Sequence, residues 1–535
     1  MATAPATVLL LAIDAANPQL LQQWAHDGTL PHIGSLMSRG LTGRTRSMPG
    51  FYVGSTWPSF YTGVTPARHG FHYLTQLKRG TYDYYRPADQ GIVKCDPFWM
   101  NLSDAGRRVA ILDVPLSRVA DRPLNGVQIV EWGSHDAVFG FNATPSHAAD
   151  EIRSRFVYPV SGPCDGERKT AADYRAFTDR LVSAVHAKTE LTRYFLAQGG
   201  WDFYMQVFTE SHCVGHQCWH LHDPNHPAHD PAVLAEIGDP LRTVYAAIDA
   251  AIGDVLADAG DAFVLLLVAH GMSYWHGANF LLQDILLRLG ATQPMSSRSG
   301  PRNVRSIVTD SARLLWRRLP PSIRNPLAPL RDSVAQALAP DDALPTVDAD
   351  LSCSFCFVVF NGLAVSGIRL NLVGREPRGI LEPGPRADAF CDQLGTELLN
   401  IVDERTGRPL VQRVMRTRDL YQGSCLDDLP DLLVEWSDEV PTGSLIVGGG
   451  IGAAVRASSA QIGSVEGVNQ YGRTGEHRMG GLFIAAAPGI QSGRLSRDVS
   501  ILDFAPTFAT MFGVDATRFD GQAIAELLHT ALPIG

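Results

Sequence analysis

Residues 8–14, VLLLAID, and residues 263–270, FVLLLVAH, decide how the rest of the chain is read. Each is a short apolar run that gives way to a polar residue, Asp14 in the first and His270 in the second. Runs of this length without polar alternation suit strands buried on both faces, the pattern of a parallel sheet rather than of one with a wet side. Working outward, similar runs occur at 109–114, 203–208, 356–360, 432–436 and 482–487. Between them, residues 174–197 and 240–259 carry apolar side chains at three-to-four spacing and predict helices. Strands alternating with helices predict an α/β fold with a mainly parallel central sheet and helices on both faces. Ligands of such sheets sit beyond the carboxyl ends of the strands, so polar residues that terminate strands are the first candidates for chemistry.

With 535 residues and 45% hydrophobic content the chain can bury a large core. Its net charge of -10 argues against a nucleic-acid scaffold, which needs a basic face. The N-terminal apolar run has no basic residue ahead of it and ends in Asp14 rather than in a small-residue cleavage site, so it reads as a first strand and not as an export signal. No segment reaches the roughly 18 uninterrupted apolar residues of a membrane span. The expectation is a cytoplasmic protein without membrane association, taking a small anionic substrate, its oligomeric state left open. Eight cysteines are too sparse for a disulfide framework, and Cys353 and Cys356 form a lone CxxC, so reduced structural thiols are expected.

The character changes over residues 294–348, where arginines interleave with apolar residues in VRSIVTDSARLLWRRLPPSIRNP (304–326). This predicts an inserted basic helical segment within a single domain spanning 1–535; such a helix commonly packs its apolar side on the domain and solvates the rest. Gly448, Gly449, Gly450 and Gly452 lack the spacing of a dinucleotide loop and read as a turn.

Polar features gather at the strand ends. Asp14 ends the first run, Ser55-Thr56-Trp57-Pro58-Ser59 lies in a loop ahead of a Thr-Gly and a His-Gly turn within STWPSFYTGVTPARHG (55–70), His212 and His216 follow the run at 203–208, His270 ends the run at 263–268, and His477 lies in TGEHRMGG (474–481). Four residues apart, His212 and His216 project from one face of a helical turn and can grip one ion. The stretch also holds His220, His222, His226 and His229, so spacing alone does not separate ligands from solvated histidines.

The 55–70 segment resembles the nucleophile segment of type I phosphodiesterases and nucleotide pyrophosphatases, where a threonine precedes an aromatic residue and a proline. Further blocks resemble the phosphohydrolase and phosphomutase branch of the alkaline phosphatase superfamily, in order: AIDAANPQLLQQWAHDGTLPHIGSLMSRG (12–40), HGMSYWHGANFLLQDILLRLG (270–290), RLNLVGREPRGILEPG (369–384), LPDLLVEW (429–436) and GEHRMGGLFIAAAPGI (475–490). The likeness is loose between about 120 and 200. It implies an alkaline-phosphatase-like three-layer sandwich with inserted cap segments, 294–348 among them. It also implies Thr56 as attacking nucleophile, one divalent metal ion held by Asp14, Thr56 and His270, and another held by His212, His216 and His477. A cation lowers the pKa of a threonine hydroxyl, and a second can stabilise the opposing oxygens of an in-line displacement. The implied activity is hydrolysis of a phosphodiester, nucleotide pyrophosphate or phosphate monoester through a covalent phosphothreonine. Ser55, by adjacency, and Ser59 are rival nucleophiles. The alternatives are a phosphotransferase or mutase using the same threonine, or a degenerate member that binds a phosphorylated ligand without turnover.

The sequence leaves the pattern at two places. His212 stands where the family has an aspartate, which exchanges an oxygen ligand for nitrogen and gives a three-histidine site that suits zinc. Ala269 stands where Ser-Asp-His-Gly would supply a carboxylate before His270, which deletes a ligand. One or two ions per chain are therefore expected, with Glu210 or His276 as substitutes for the missing group. A sulfatase is disfavoured, because Phe60 occupies the position of its arginine. Arg375, Arg473 and Arg478 are candidates for clamping substrate oxyanions, but arginines so placed are more often surface or structural ion-pair residues.

Overall fold

The computed structural model describes residues 6–87, 91, 93–135, 137–159, 168, 170–295, 347–447 and 452–528. The expected helical insertion over 294–348 and the glycine turn at 448–452 fall largely outside the described residues.

Nine strands form the main sheet: β1 (Ala6–Ile13), β2 (Leu41–Arg46), β3 (Val109–Leu112), β4 (Gly126–Val130), β5 (Asn142–Thr144), β6 (Trp201–Phe208), β7 (Phe263–Val268), β8 (Gly480–Ala486) and β9 (Gly493–Ser500). Their spatial order is β9-β2-β8-β7-β1-β6-β3-β4-β5. The run β7-β1-β6-β3-β4 is parallel throughout, as the apolar runs predicted, while β8 pairs antiparallel with both β7 and β2.

Each central strand is buried on both faces, and its alternate residues divide between two cores. Leu9, Leu11, Leu112, Tyr204 and Leu266 pack against α2 (Ala171–Leu196) and α4 (Pro240–Asp258) through Phe177, Leu181, Leu241 and Ile248. Val8, Leu10, Ile111, Met205 and Leu267 face the other way, onto Phe60, Phe98, Trp99, Phe504 and Phe508. This period-two division makes the three-layer α/β/α sandwich. Full burial of each such Leu, Val or Ile side chain stabilises the fold by about 1.5–3 kcal/mol against leaving it exposed.

The runs at 356–360 and 432–436 are strands, but not of this sheet. Cys356–Val359, Val365–Leu370, Leu432–Trp436 and Val411–Arg416 form a separate four-stranded antiparallel sheet in that order. The short link over 360–364 permits a hairpin and not the long crossover that a parallel pair requires. Every cysteine among the described residues is free of disulfide bonds, as expected. Among the described residues no helix is long and apolar enough to cross a membrane.

Candidate active site

The chain direction of the strands brings the polar residues to one edge. β1, β6 and β7 run parallel, so Asp14, the residues after Phe208, and His270 emerge side by side. β8 runs the opposite way, so its entry segment Gly475–Arg478, which carries His477, returns to the same edge and pairs with Gly271–Tyr274, His477 opposite Met272. Of the expected site residues, Asp14, Thr56, His212, His216, His270 and His477 are all buried.

α3 (Glu210–His222) starts directly after β6 and puts His212 and His216 one turn apart on its inner face, with ring centroids 4.4 Å apart. His216 and His477 face each other, Nε2 to Nε2, at 3.2 Å. The other nitrogen of His216, Nδ1, donates to the Gly475 carbonyl at 2.8 Å, which fixes the tautomer and leaves the Nε2 lone pair directed at His477. This approach needs glycine: a Cβ on Gly475 would lie 2.2 Å from the Gly215 carbonyl oxygen, and one on Gly215 would lie 2.7 Å from Met272. Ligand atoms of His212, His216 and His477 all lie within 4.8 Å of one another. Burial pushes all three imidazoles well below the ordinary histidine range, the Arg473 guanidinium adding to this, so they stand neutral with lone pairs to offer. Nδ1 of His270 and of His477 are buried without hydrogen-bond partners among the described residues. A cluster of neutral, convergent and partly unsatisfied imidazoles is a donor set that fits a divalent cation.

Asp14 is oriented by Trp57, whose Nε1 donates to Oδ1 at 2.8 Å. His270 Nε2 lies 3.9 Å from the same oxygen, and His135 Nε2 lies 3.9 Å from Oδ2. Neither His135 nor the orienting role of Trp57 emerges from the sequence reading. His135 stacks on His212, centroids 3.8 Å apart at 21°.

Thr56 opens α1 (Thr56–Thr62), a short helix where a loop was expected, its Pro58 standing in the first turn where no backbone N–H is needed. Its hydroxyl donates to the Tyr52 carbonyl at 2.8 Å and lies 2.5 Å from Ser47 Oγ, which can donate to it in turn. Ser47 is a further residue the sequence reading passes over; it follows β2, whose carboxyl end reaches the same edge. The rivals point elsewhere. Ser55 Oγ lies 3.0 Å from the Phe71 carbonyl and 3.3 Å from His69 Nε2, and Ser59 Oγ lies 3.1 Å from that nitrogen. Phe71 N–H donates to His69 Nδ1, so Nε2 of the neutral ring carries the proton and cannot serve either serine as a base.

The two substitutes considered for the missing carboxylate are engaged elsewhere. Glu210 pairs with Lys188 at 3.0 Å, and Lys188, itself fully buried, also pairs with Asp113 at 2.9 Å. His276 accepts from Arg478. Arg478 also reaches Asp438, and Arg375 is held by Asp431 and Glu376, so both arginines act structurally. Arg473 differs: its Nη1 lies 3.4 Å from His216 Nε2, beside the histidine cluster. Of the remaining histidines, His222 pairs with Asp239, and His220 contacts Thr474.

Burial lowers His69, His72 and His220 to about 3 and His226 to about 4. In the unfolded chain each returns to about 6.5. The folded values are depressed, so this contribution to stability is complete above about pH 6.5 and is lost as pH falls. The loss is about 1.4 kcal/mol per pH unit for each histidine that is protonated only when unfolded. Thermal unfolding of chelator-treated protein is expected to shift steadily downward between pH 6.5 and 4.5; a flat profile there would contradict this burial.

Asp14, His212, His216, His270 and His477 thus gather at the carboxyl edge of the parallel sheet, with Thr56 opening a helix at the same edge. Over residues 8–304 the chain matches the model of the type I phosphodiesterase / nucleotide pyrophosphatase family, and it belongs to that family. Its members are hydrolases acting on phosphorus ester bonds, and this chain is an enzyme of that class. Phosphonoacetate hydrolase from Sinorhizobium meliloti, solved with phosphonoacetate, is similar in fold at a TM-score of 0.50 and 14% identity, over 95% of this chain and 96% of that one. Murine ectonucleotide pyrophosphatase / phosphodiesterase 5, solved with AMP, matches at a TM-score of 0.45 and 11% identity, over 96% and 97%. No curated protein matches the chain.

Proposed function

We propose that the chain is a divalent-metal-dependent phosphohydrolase whose nucleophile is Thr56 and whose substrate is a small phosphodiester, nucleotide pyrophosphate or phosphate monoester. The observation that carries this reading is the opposition of His216 Nε2 and His477 Nε2 at 3.2 Å inside a buried cluster, with the His216 tautomer held by Gly475. His212, His216 and His477 would hold one ion, and Asp14, His270 and the Thr56 hydroxyl another. A set of three imidazoles favours zinc. Bound cations supply a lowered hydroxyl pKa at the nucleophile and neutralise phosphoryl charge.

The chain's own groups set up the displacement. Tyr52 O and Ser47 Oγ fix the rotamer of Thr56 by accepting from and donating to its hydroxyl. Thr56 Oγ1 gives up its proton to solvent and attacks phosphorus, the bond from phosphorus to the leaving-group oxygen breaks, and the leaving group departs with that oxygen and its electron pair, which takes up a proton where its basicity requires one. Water then attacks the phosphothreonine, which releases the phosphate product and restores the hydroxyl. Arg473, beside the histidines, is placed to take a substrate oxyanion.

The test is the metal content of the purified protein together with release of p-nitrophenol from bis-p-nitrophenyl phosphate and p-nitrophenyl phosphate. Bound metal, with release abolished by chelation and restored by zinc, is the expected result. Bound metal with no release from either ester under any divalent ion would overturn the hydrolytic reading in favour of a ligand-binding role.

A further inference from the structure

The His212 ring carries another imidazole on its face. His135, its side chain 9% exposed, lies over it with centroids 3.8 Å apart and planes 21° from parallel. Such a pair cannot serve one ion. An imidazole offers its lone pair in the plane of its ring, and two nearly parallel planes stacked at this distance share no point within the roughly 2.1 Å of a metal–nitrogen bond. Cys213 Sγ lies within 4.8 Å of donor nitrogens of both rings, but the same stack denies that group a common ion. The other neighbours of His212 approach differently: His216 stands at 83° and His477 at 44°, with centroids 4.4 and 4.9 Å away, so their lone pairs can converge with that of His212. His135 covers a face of a ligand ring instead of joining the ligand set.

Both rings are anchored to the same buried ammonium. Lys188 Nζ donates to Thr209 Oγ1 at 2.9 Å and pairs with Glu210 at 3.0 Å, which fixes the start of α3 just ahead of His212. It also pairs with Asp113 at 2.9 Å, and Asp113 Oδ1 accepts at 2.6 Å from Ser134 Oγ, one residue before His135. Beyond His135, the Glu131 carboxylate accepts the backbone N–H groups of Val138, Phe139 and Gly140 at 2.8, 2.8 and 2.6 Å. Asp113 and Glu131 each follow the last residue of their strand with positive φ, 57° and 55°, a conformation that side-chain-bearing residues adopt at a cost. A helix start and a loop tied to one cation keep His135 in register with His212.

We propose that His135 is a positioning residue: its ring, anchored through Ser134, Asp113 and Lys188, holds the His212 imidazole in the orientation that converges with His216 and His477. The inference rests on the metal-dependent reading of the site and adds to it a residue that binds no ion itself. A ring already confined by its neighbour loses less rotamer freedom when it takes a ligand, so the stack strengthens metal binding by lowering the cost of ordering.

The experiment is zinc affinity of the full chain, measured by competition with a chromophoric chelator, with the visible spectrum of the cobalt-substituted form as a second readout. His135→Ala is expected to weaken zinc binding by about tenfold and to shift the cobalt bands, whereas His135→Phe and His135→Gln, which offer a planar face without an imidazole nitrogen, stay within about threefold of the wild type and keep its spectrum. Retention in either planar variant sustains the inference. Wild-type affinity and spectrum in His135→Ala would overturn it and leave the metal-dependent reading standing. A loss in both planar variants as large as in His135→Ala would also overturn it, by showing that the imidazole nitrogen acts and not the stacked face. A wild type that takes up neither zinc nor cobalt would overturn the metal-dependent reading, and the inference with it.

Discussion

Thr56→Ala is expected to lower kcat for bis-p-nitrophenyl phosphate by about a thousandfold or more, while Ser55→Ala stays within about tenfold of the wild type. The two residues are adjacent, and the difference comes from where their hydroxyls point. Thr56 Oγ1 is suspended between Tyr52 O and Ser47 Oγ, whereas Ser55 Oγ is turned toward Phe71 and His69. Ser47→Ala removes one donor to the nucleophile and leaves its bond to Tyr52, so an intermediate loss of about tenfold is expected, the equivalent of one hydrogen bond of roughly 1.4 kcal/mol. Equal losses in Thr56→Ala and Ser55→Ala would show that the segment acts by its fold and not through one hydroxyl.

Lys188→Met is expected to destabilise the protein by about 3–5 kcal/mol, read as a lowered denaturant midpoint. Lys188 is fully buried and is the cation shared by Asp113 and Glu210, which are themselves 2% and 0% exposed at the side chain. Its removal leaves two buried carboxylates without a counter-charge, a greater cost than the loss of the attraction itself. Their negative charge holds the ammonium well above the ordinary lysine range despite its burial, so it remains charged through neutral pH. Adding Glu210→Gln to Lys188→Met should recover part of the loss, because one of the stranded charges is then neutral. If Lys188→Met unfolds at the wild-type midpoint, the buried network contributes nothing net.

Much of the architecture is legible in the residues. The apolar runs at 8–14, 203–208 and 263–270 are strands of a parallel sheet because no polar side chain interrupts them, and they end where the site begins. The same runs conceal which alternate residue faces which core, since both faces are apolar. Strand partners are harder still: Cys356–Val359 and Leu432–Trp436 look like the others in isolation, and only the chain between them directs them to an antiparallel sheet. Within the candidate site, His212, His216, His270 and His477 are reachable through ordered motifs. His135 is not, because it is one histidine among 17 and lies in the segment where likeness to the family is loosest. The available signal was its place just beyond a strand, since Gly126–Val130 ends five residues before it. Lys188 leaves no trace at all: a lysine in a 26-residue helix reads as a solvated charge until Asp113 and Glu210 are found beneath it.

The insertion of β8 between β2 and β7 bears on the order in which the protein is made. Ribosomes deliver the N-terminal end first, and until Gly480–Ala486 emerges the facing edges of β2 and β7 have no partner on that side. The segment just ahead of it carries His477, so the proposed donor set gains its last imidazole only as the sheet closes. A chain that stops short of this segment therefore leaves the sheet open and lacks His477 at the same time, so one truncation removes a structural element and a proposed ligand together.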